Sequence, residues 1–272
     1  MKSILFNAQS DAGFSGRLDA ALDIARAFDA HLTLVHSLPY SADVSLDPYG
    51  AVFAAMIPVM REEGTKLHEA TVADLANEDV RYDWVEEAGP VTLALLKHSM
   101  LSDLIVYGEP EVDHTRSGPS FAAGELALSA NCPVLFLPYG TTRFDPETPA
   151  VVGWDGSAEA SHALRAALPM LKKSKAVYLV SVEEARKPDT SHDLPPVSGA
   201  DYLSRHGIRC EVVAVKAGDG GVAHALVEAA NTRGAGLIVM GAYGRTRLSE
   251  RVFGGATRAM LSNAGIPLLL AH

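Results

Sequence analysis

The chain has 272 residues, of which 48% are hydrophobic and 21% are charged, and its formal net charge is −10 at pH 7. This length allows one large domain or two domains of ordinary size, and no apolar run is long enough to span a membrane. A chain this acidic, without a concentrated basic face, is not expected to bind DNA or RNA.

The first residues bear on the cellular compartment of the protein, and the cysteines bear on the kind of site that it can contain. A short apolar stretch at residues 4–6 lacks the length and cleavage site of a signal peptide, which predicts a cytoplasmic protein. Cys132 and Cys210 form neither a disulfide framework nor a zinc motif, so two free thiols are expected.

The first half of the chain alternates apolar strand patterns with helical spacing. Between the third and fourth strands, Gly89-Pro90 precedes a predicted helix over residues 91–100. A longer helical stretch covers residues 49–75, and Pro58 is expected to start or kink it. The predicted strands of this half cover residues 4–9, 32–37, 80–85, 104–108 and 132–138.

The second half repeats this order after a linker at residues 139–149 that is rich in Pro, Gly and Thr. It differs in the middle, where residues 186–196 have the composition of a loop and only a short helix is predicted near 199–206. The predicted strands of this half cover residues 150–155, 177–182, 208–213, 237–241 and 266–271.

The duplication predicts an α/β protein with two tandem Rossmann-like domains, at residues 1–140 and 148–272. Each domain is expected to hold a five-stranded parallel sheet with helices on both faces. Ligands of such sheets bind at the carboxyl ends of the strands, near the point where the strand order reverses.

Residues 237–257 carry the most specific pattern in the chain. A buried-strand run ends at Gly241, Gly244 follows, and Gly254-Gly255 stands just before a predicted helix. Glycines let the backbone approach a ligand closely, and the free amides of a helix N-terminus favour an anion, so the segment is typical of a phosphate cradle. Basic residues surround it, and the alternative is that they are ordinary solvated side chains: Arg245, Arg247, Arg251 and Arg258.

On these residues the chain resembles the universal stress protein family, in a tandem form with two family domains. The family's nucleotide signature is glycine, two residues, glycine, nine residues, glycine and then Ser or Thr. Gly241, Gly244 and Gly254 match it. Gly255 departs from it, because it offers an amide but no hydroxyl, and Thr257 is a partial substitute. The resemblance implies an adenine nucleotide alpha hydrolase-like fold and a regulatory role in the stress response.

The resemblance also implies a ligand and the residues that hold it. The ligand is ATP, with ADP and AMP as alternatives, and Mg²⁺ is compatible with a triphosphate. Asp155 ends the first strand and would accept hydrogen bonds from the adenosine, although Asp155-Gly156-Ser157 also reads as a turn and helix N-cap. The predicted nucleotide-binding residues are Trp154, Asp155, Val182, Met240, Gly241, Tyr243, Gly244, Arg245, Gly254, Gly255, Ala256 and Thr257.

The same signature fails in the first half. Gln9 replaces the aspartate, residues 109–114 are acidic where phosphate would lie, and Glu125 follows the retained glycine. We therefore expect a structural or regulatory copy there. Two further features have structural interpretations: the 218–221 glycines form a turn rather than a phosphate loop, and His36 is packed in the core.

Two other functions stay open. A slow ATPase is one, although the sequence contains no Walker A lysine and no plain carboxylate pair for Mg²⁺. The other is an interaction module that does not bind nucleotides, as Gln9 and Gly255 would suggest. Related domains pair through their last strands, and here residues 134–137 and 268–270 are expected to pair within the chain. Dimerisation of the whole chain is left open.

Overall fold

The computed structural model describes residues 1–38, 50–108, 120–183, 193–243, 255–263 and 265–272. The strands of the first half are β1 (Ser3–Asn7), β2 (His31–Leu38), β3 (Arg81–Ala88), β4 (Leu104–Gly108) and β5 (Val134–Leu137). Its helices are α1 (Phe14–Phe28), α2 (Gly50–Leu75), α3 (Val91–His98) and α4 (Phe121–Ser129), with a 3-10 turn at Ser99–Leu101.

The second half follows the same succession. Its strands are β6 (Ala150–Gly153), β7 (Val177–Glu183), β8 (Cys210–Lys216), β9 (Leu237–Gly241) and β10 (Leu268–Ala271). Its helices are α5 (Ala158–Ala166), α6 (Leu168–Leu171), α7 (Pro196–Arg205), α8 (Gly221–Thr232) and α9 (Gly255–Asn263). The predicted alternation of strands and helices is confirmed in both halves.

All ten strands lie in one sheet, in the order β3-β2-β1-β4-β5-β10-β9-β6-β7-β8. Neighbouring strands are parallel except for β5 and β10, which pair antiparallel with Leu135 opposite Leu269. The predicted pairing of the last strands within the chain is therefore confirmed. Counted from its outer edge, each half has the order 3-2-1-4-5, so the order reverses between the first and fourth strands.

The strands are buried on both faces, as their apolar runs predict. Alternate residues of a strand enter two different cores: Ile4 and Phe6 pack on the side of α1, and Leu5 packs on the side of α3. The first core crosses the junction of the two halves, since it contains both Leu135 and Leu269. The two halves thus share a sheet and a core.

Local structure confirms several smaller predictions. The amide of Gly221 donates to Gly218 O at 3.0 Å, and Gly221 has a φ of +70°, so the 218–221 segment is a turn. His36 is buried, with Nδ1 2.8 Å from Ala8 O. Cys132 and Cys210 are free. None of the helices in the described part of the chain could cross a membrane.

Two helix starts differ from the predictions. The helix α2 begins at Gly50 and runs through Pro58, so the proline does not start it. Pro58 is exposed, and there water can satisfy the carbonyl that the proline ring leaves without a partner. The helix α7 begins at Pro196, ahead of the predicted start, because a proline fits the first helical turn. Of the predicted loop, residues 186–192 lie outside the described residues.

Candidate functional site

The reversal of strand order in the second half lies between β6 and β9. The two strands are paired, with Val152 opposite Val239. Past their carboxyl ends the ladder continues briefly, since the Trp154 amide donates to Val180 O and the Ala242 amide donates to Ala271 O, each at 2.8 Å. The turn that follows β6 and the loop that follows β9 therefore leave the same edge of the sheet.

Asp155 begins the turn after β6. Its Oδ1 accepts the Ser157 amide at 3.0 Å, and the Ser157 hydroxyl accepts the Ala160 amide at 3.1 Å, which caps α5. The interpretation of this segment as a turn and helix N-cap is thus confirmed. The turn also places Asp155 in an exposed position at the edge of the sheet.

Trp154, which precedes the turn, is a packing residue. Its side chain is buried, and its indole Nε1 donates to Leu194 O at 3.2 Å. Helix α7 covers the ring, because a Cβ at Gly199 would lie 3.3 Å from the indole. Gly156 has a φ of +81°, and a Cβ there would lie 2.3 Å from Leu194 O. The indole ring therefore packs against protein atoms beside the candidate site.

Gly241 at the end of β9 is required by helix packing. A Cβ at this position would lie 2.6 Å from the carbonyl carbon of Glu159 and 2.7 Å from the Ala160 amide nitrogen. Sequence reasoning attributed this glycine to a tight turn and close approach to a ligand. The close approach that the structure shows is to the backbone of α5.

Tyr243 connects the loop after β9 to the start of α9. Its amide donates to the Thr257 hydroxyl oxygen at 3.2 Å, and its φ of +61° is in the left-handed region. Thr257 is almost completely buried, and its hydroxyl keeps one proton to donate elsewhere. Burial raises the pKa of the Tyr243 hydroxyl to about 12, so the ring carries no charge at neutral pH.

The N-terminus of α9 faces this edge of the sheet. Gly255 is its first residue, and the amides of its first turn have no partner within the helix. These amides and the helix dipole favour an anion. A Cβ at Gly255 would meet no atom of the described residues within 4 Å, so these residues leave room for a serine or threonine hydroxyl.

The other predicted residues divide into those that are described and those that are not. Val182 is half-buried near the end of β7, and Met240 is buried with its Cβ 3.6 Å from the Cβ position of Gly153. Ala256 is half-buried in the first turn of α9, and Arg258 is exposed in the same helix. The predicted residues outside the described part of the chain are Gly244, Arg245 and Gly254, together with Arg247 and Arg251.

The two cavities described next lie away from this edge of the sheet, and the described residues offer no metal site. Two cavities of about 390 and 480 Å³ lie elsewhere, one beside α5 and β10 and the other between β8 and α8. No group of three His, Cys, Asp or Glu residues in the described ranges could hold a metal ion. The site is therefore defined by the strand ends, by Asp155 and by the start of α9.

The equivalent edge of the first half is filled by an ion pair that sequence reasoning missed. The guanidinium of Arg17 contacts both carboxylate oxygens of Asp11, at 2.8 and 2.5 Å, and both side chains are buried. Arg17 also lies against Gly108, where a Cβ would be 2.2 Å from Arg17 Cδ. Gly108 corresponds to Gly241, so the glycine at the end of the fourth strand meets a helix in both halves. Because the partners are distant from Gly108 in sequence, no local signal could have shown this contact.

Comparison with known proteins identifies the family of the second half. Residues 148–272 match the model of the universal stress protein family, and this segment is a domain of that family. A universal stress protein from Archaeoglobus fulgidus DSM 4304 is 14% identical, with a TM-score of 0.73 over 98% of this chain and 97% of its own. A functionally unknown protein from Pseudomonas aeruginosa PAO1 is 16% identical, with a TM-score of 0.59 over 100% and 92% of the two chains. No curated protein matches the sequence. The whole chain therefore shares its fold with these two proteins.

Proposed function

We propose that this chain, whose second half is a universal stress protein domain, binds an adenine nucleotide between the ends of β6 and β9 and acts in the regulation of a stress response. The observation that supports the site is the hydrogen bond from the Tyr243 amide to Thr257. It joins Tyr243, just past the end of β9, to the first turn of α9, at the edge where Asp155 is exposed.

The parts of the nucleotide have matching parts of the site. Asp155 is an acceptor for hydroxyl groups of the ribose, and the end of β7 near Val182 borders the base. The first-turn amides of α9 attract the phosphates, because they are donors without a partner inside the helix and lie at the positive end of its dipole. ATP, ADP and AMP differ only in how far the phosphates extend along these amides.

The proposed site is tested best at Gly255, because a side chain fits there without displacing the protein. Gly255→Asp places a carboxylate where the phosphates are expected, and we expect ATP to bind at least about tenfold more weakly. The helix itself should not suffer, since an acidic residue in the first turn favours it. Isothermal titration calorimetry with ATP, ADP and AMP measures the change.

Phe121 supplies the matched control, because it is the first residue of α4 and corresponds to Gly255 in the first half. It is exposed, so Phe121→Asp adds the same charge to the same helix position. We expect nucleotide affinity to stay unchanged in this variant. Gly255→Ser restores the family hydroxyl and should tighten ATP binding by about threefold to tenfold.

The outcomes separate the alternatives. Equal ATP affinity in Gly255→Asp and in the unmodified chain would place the nucleotide elsewhere. No binding of any of the three nucleotides by a folded protein would favour the interaction module.

A further inference from the structure

The two halves can be compared residue by residue along their first helices. Positions 146 apart correspond, because residues 4–9 match residues 150–155 and the buried faces of α1 and α5 then coincide. Leu18 and Ile24 of α1 correspond to Leu164 and Met170, and all four are buried. This relation identifies two equivalent surfaces, one on each helix.

In the first half this surface is covered by the linker after β5. A Cβ at Gly16 would lie 2.7 Å from Thr141 O, so the linker backbone lies directly on the helix. Asp23 holds the linker by its Oδ2, which accepts from Arg143 Nε at 3.1 Å and from the Phe144 amide at 3.2 Å. Phe144 and Ala20 are buried in consequence. The surface thus binds an irregular peptide segment of this chain.

In the second half the equivalent surface borders a cavity of about 390 Å³. His162 and Arg165 stand in the positions of Gly16 and Asp19 and line the cavity. Ala166, which corresponds to the fully buried Ala20, is partly exposed there. The opposite walls are formed by residues 130–133 and by His272.

The charge of the surface is reversed between the halves. Arg165 replaces Asp19, whose carboxylate lies within electrostatic range of Arg143, while Asp23, which holds the linker, is replaced by Pro169. In the described part of the chain, neither the Arg165 nor the His162 side chain has a hydrogen bond or ion pair to another residue. Two cationic or protonatable groups therefore face the cavity of a protein with a net charge of −10. A negatively charged occupant fits this end.

The opposite wall directs such a charge toward α5. Cys132 lies there, and burial together with the charge of Asp103 raises the pKa of its thiol to about 12, so the thiol is neutral. Asp103 stays ionised, because the backbone amides of Lys2 and Ser3 donate to it and lower its pKa. Neither the neutral thiol of Cys132 nor the carboxylate of Asp103 attracts a second carboxylate, whereas Arg165 on the other side of the cavity does.

We infer that the cavity beside α5 and β10 binds an extended peptide segment of a partner protein, with an Asp or Glu side chain placed at Arg165. The linker on α1 shows that this surface accepts a peptide backbone, and the exchange of Asp19 for Arg165 selects an acidic segment in place of the arginine-bearing linker. The inference does not depend on nucleotide binding, because the cavity is separate from the edge between β6 and β9.

The probe is a fluorescent peptide with the sequence of residues 139–144 and the substitution Arg143→Glu. Fluorescence anisotropy with the full chain should show saturable binding, and the peptide with the native Arg143 should bind about tenfold more weakly because of repulsion from Arg165. Higher salt should weaken the binding of the acidic peptide, since the contact of its carboxylate with Arg165 is partly exposed.

The decisive variant is Arg165→Glu, which reverses the charge of an exposed side chain. The preference between the two peptides should reverse with it, so that the native linker peptide binds more tightly than the acidic one. Arg209→Glu is the control, because Arg209 is an exposed arginine between α7 and β8 and should leave both affinities unchanged.

Three results would overturn the inference. They are the absence of saturable binding of the acidic peptide, an unchanged preference in Arg165→Glu, and complete displacement of the peptide by free glutamate at equal concentration. The last result would indicate a small-anion site instead of a peptide groove.

Discussion

Arg17 shows how single residues separate the two halves of this protein. It is buried with Asp11 at the edge that corresponds to the proposed nucleotide site. The positions that hold this pair are occupied in the second half by Ala163 and Ser157. A bidentate ion pair thus fills one edge, and a capping serine leaves the other edge accessible. The expectation of a structural first copy is consistent with this difference.

Breaking the ion pair of Arg17 and Asp11 should lower the free energy of unfolding substantially. Arg17→Ala leaves the Asp11 carboxylate without its cationic partner in a buried position, and we expect a loss of about 3 kcal/mol in the free energy of unfolding. Lys66→Ala breaks the exposed pair of Lys66 and Glu62 and should cost no more than about 0.5 kcal/mol. Urea unfolding compares the two variants.

The double variant Asp11→Ala with Arg17→Ala should recover part of the loss, because it removes the uncompensated charge as well. Equal losses in Arg17→Ala and Lys66→Ala would contradict the assignment of Arg17 as a buried structural residue.

At the scale of elements, the sequence predicted best what is encoded locally. The strands β4 and β9 were predicted residue by residue, because a short apolar run that ends in glycine is typical of a buried parallel strand. The turn at Asp155 was predicted from the Asp-Gly-Ser pattern for the same reason. The helix α7 starts earlier than the sequence pattern near residues 199–206 predicts, because Pro196 fits the first helical turn.

Contacts between elements that lie far apart in the sequence could not be predicted from local sequence patterns. The sequence shows that Gly241 is a glycine, but the reason lies in α5, which approaches β9 from more than seventy residues earlier. The same holds for Gly156 and Leu194. Local patterns could therefore predict the turn at Asp155 and a helix that starts near Gly255, whereas the packing roles of Trp154 and Gly241 required the structure.

Two glycines of one signature should respond oppositely to alanine. Gly241→Ala forces α5 away from β9, since its Cβ would lie 2.6 Å from the backbone of Glu159, and should cost about 1–3 kcal/mol. Gly255→Ala finds open space at the start of α9 and should stabilise the protein by up to about 1 kcal/mol. Thermal unfolding followed by circular dichroism gives both signs. A neutral Gly241→Ala would mean that α5 can shift freely.

At the scale of the whole molecule, β5 and β10 make one sheet out of two halves with the same strand order. Each strand would be an edge without the other, and the three paired positions bury Val134, Leu135 and Phe136 against the leucines of β10. An unprotected apolar edge of this kind recruits another strand. The antiparallel pairing at the centre thus substitutes within one chain for an association between separate chains.

This substitution predicts the behaviour of the separated halves. Residues 148–272 expressed alone retain all five strands of their half but expose the β10 edge, so we expect them to form a homodimer through β10. Size-exclusion chromatography with light scattering measures the mass.

Leu269→Lys places a charge at the centre of the exposed edge and should give a monomer, with circular dichroism to verify folding. Residues 1–140, added to the unmodified segment during refolding, should compete for β10 and give a one-to-one complex. A stable monomer of the unmodified segment would show that β10 needs no partner strand.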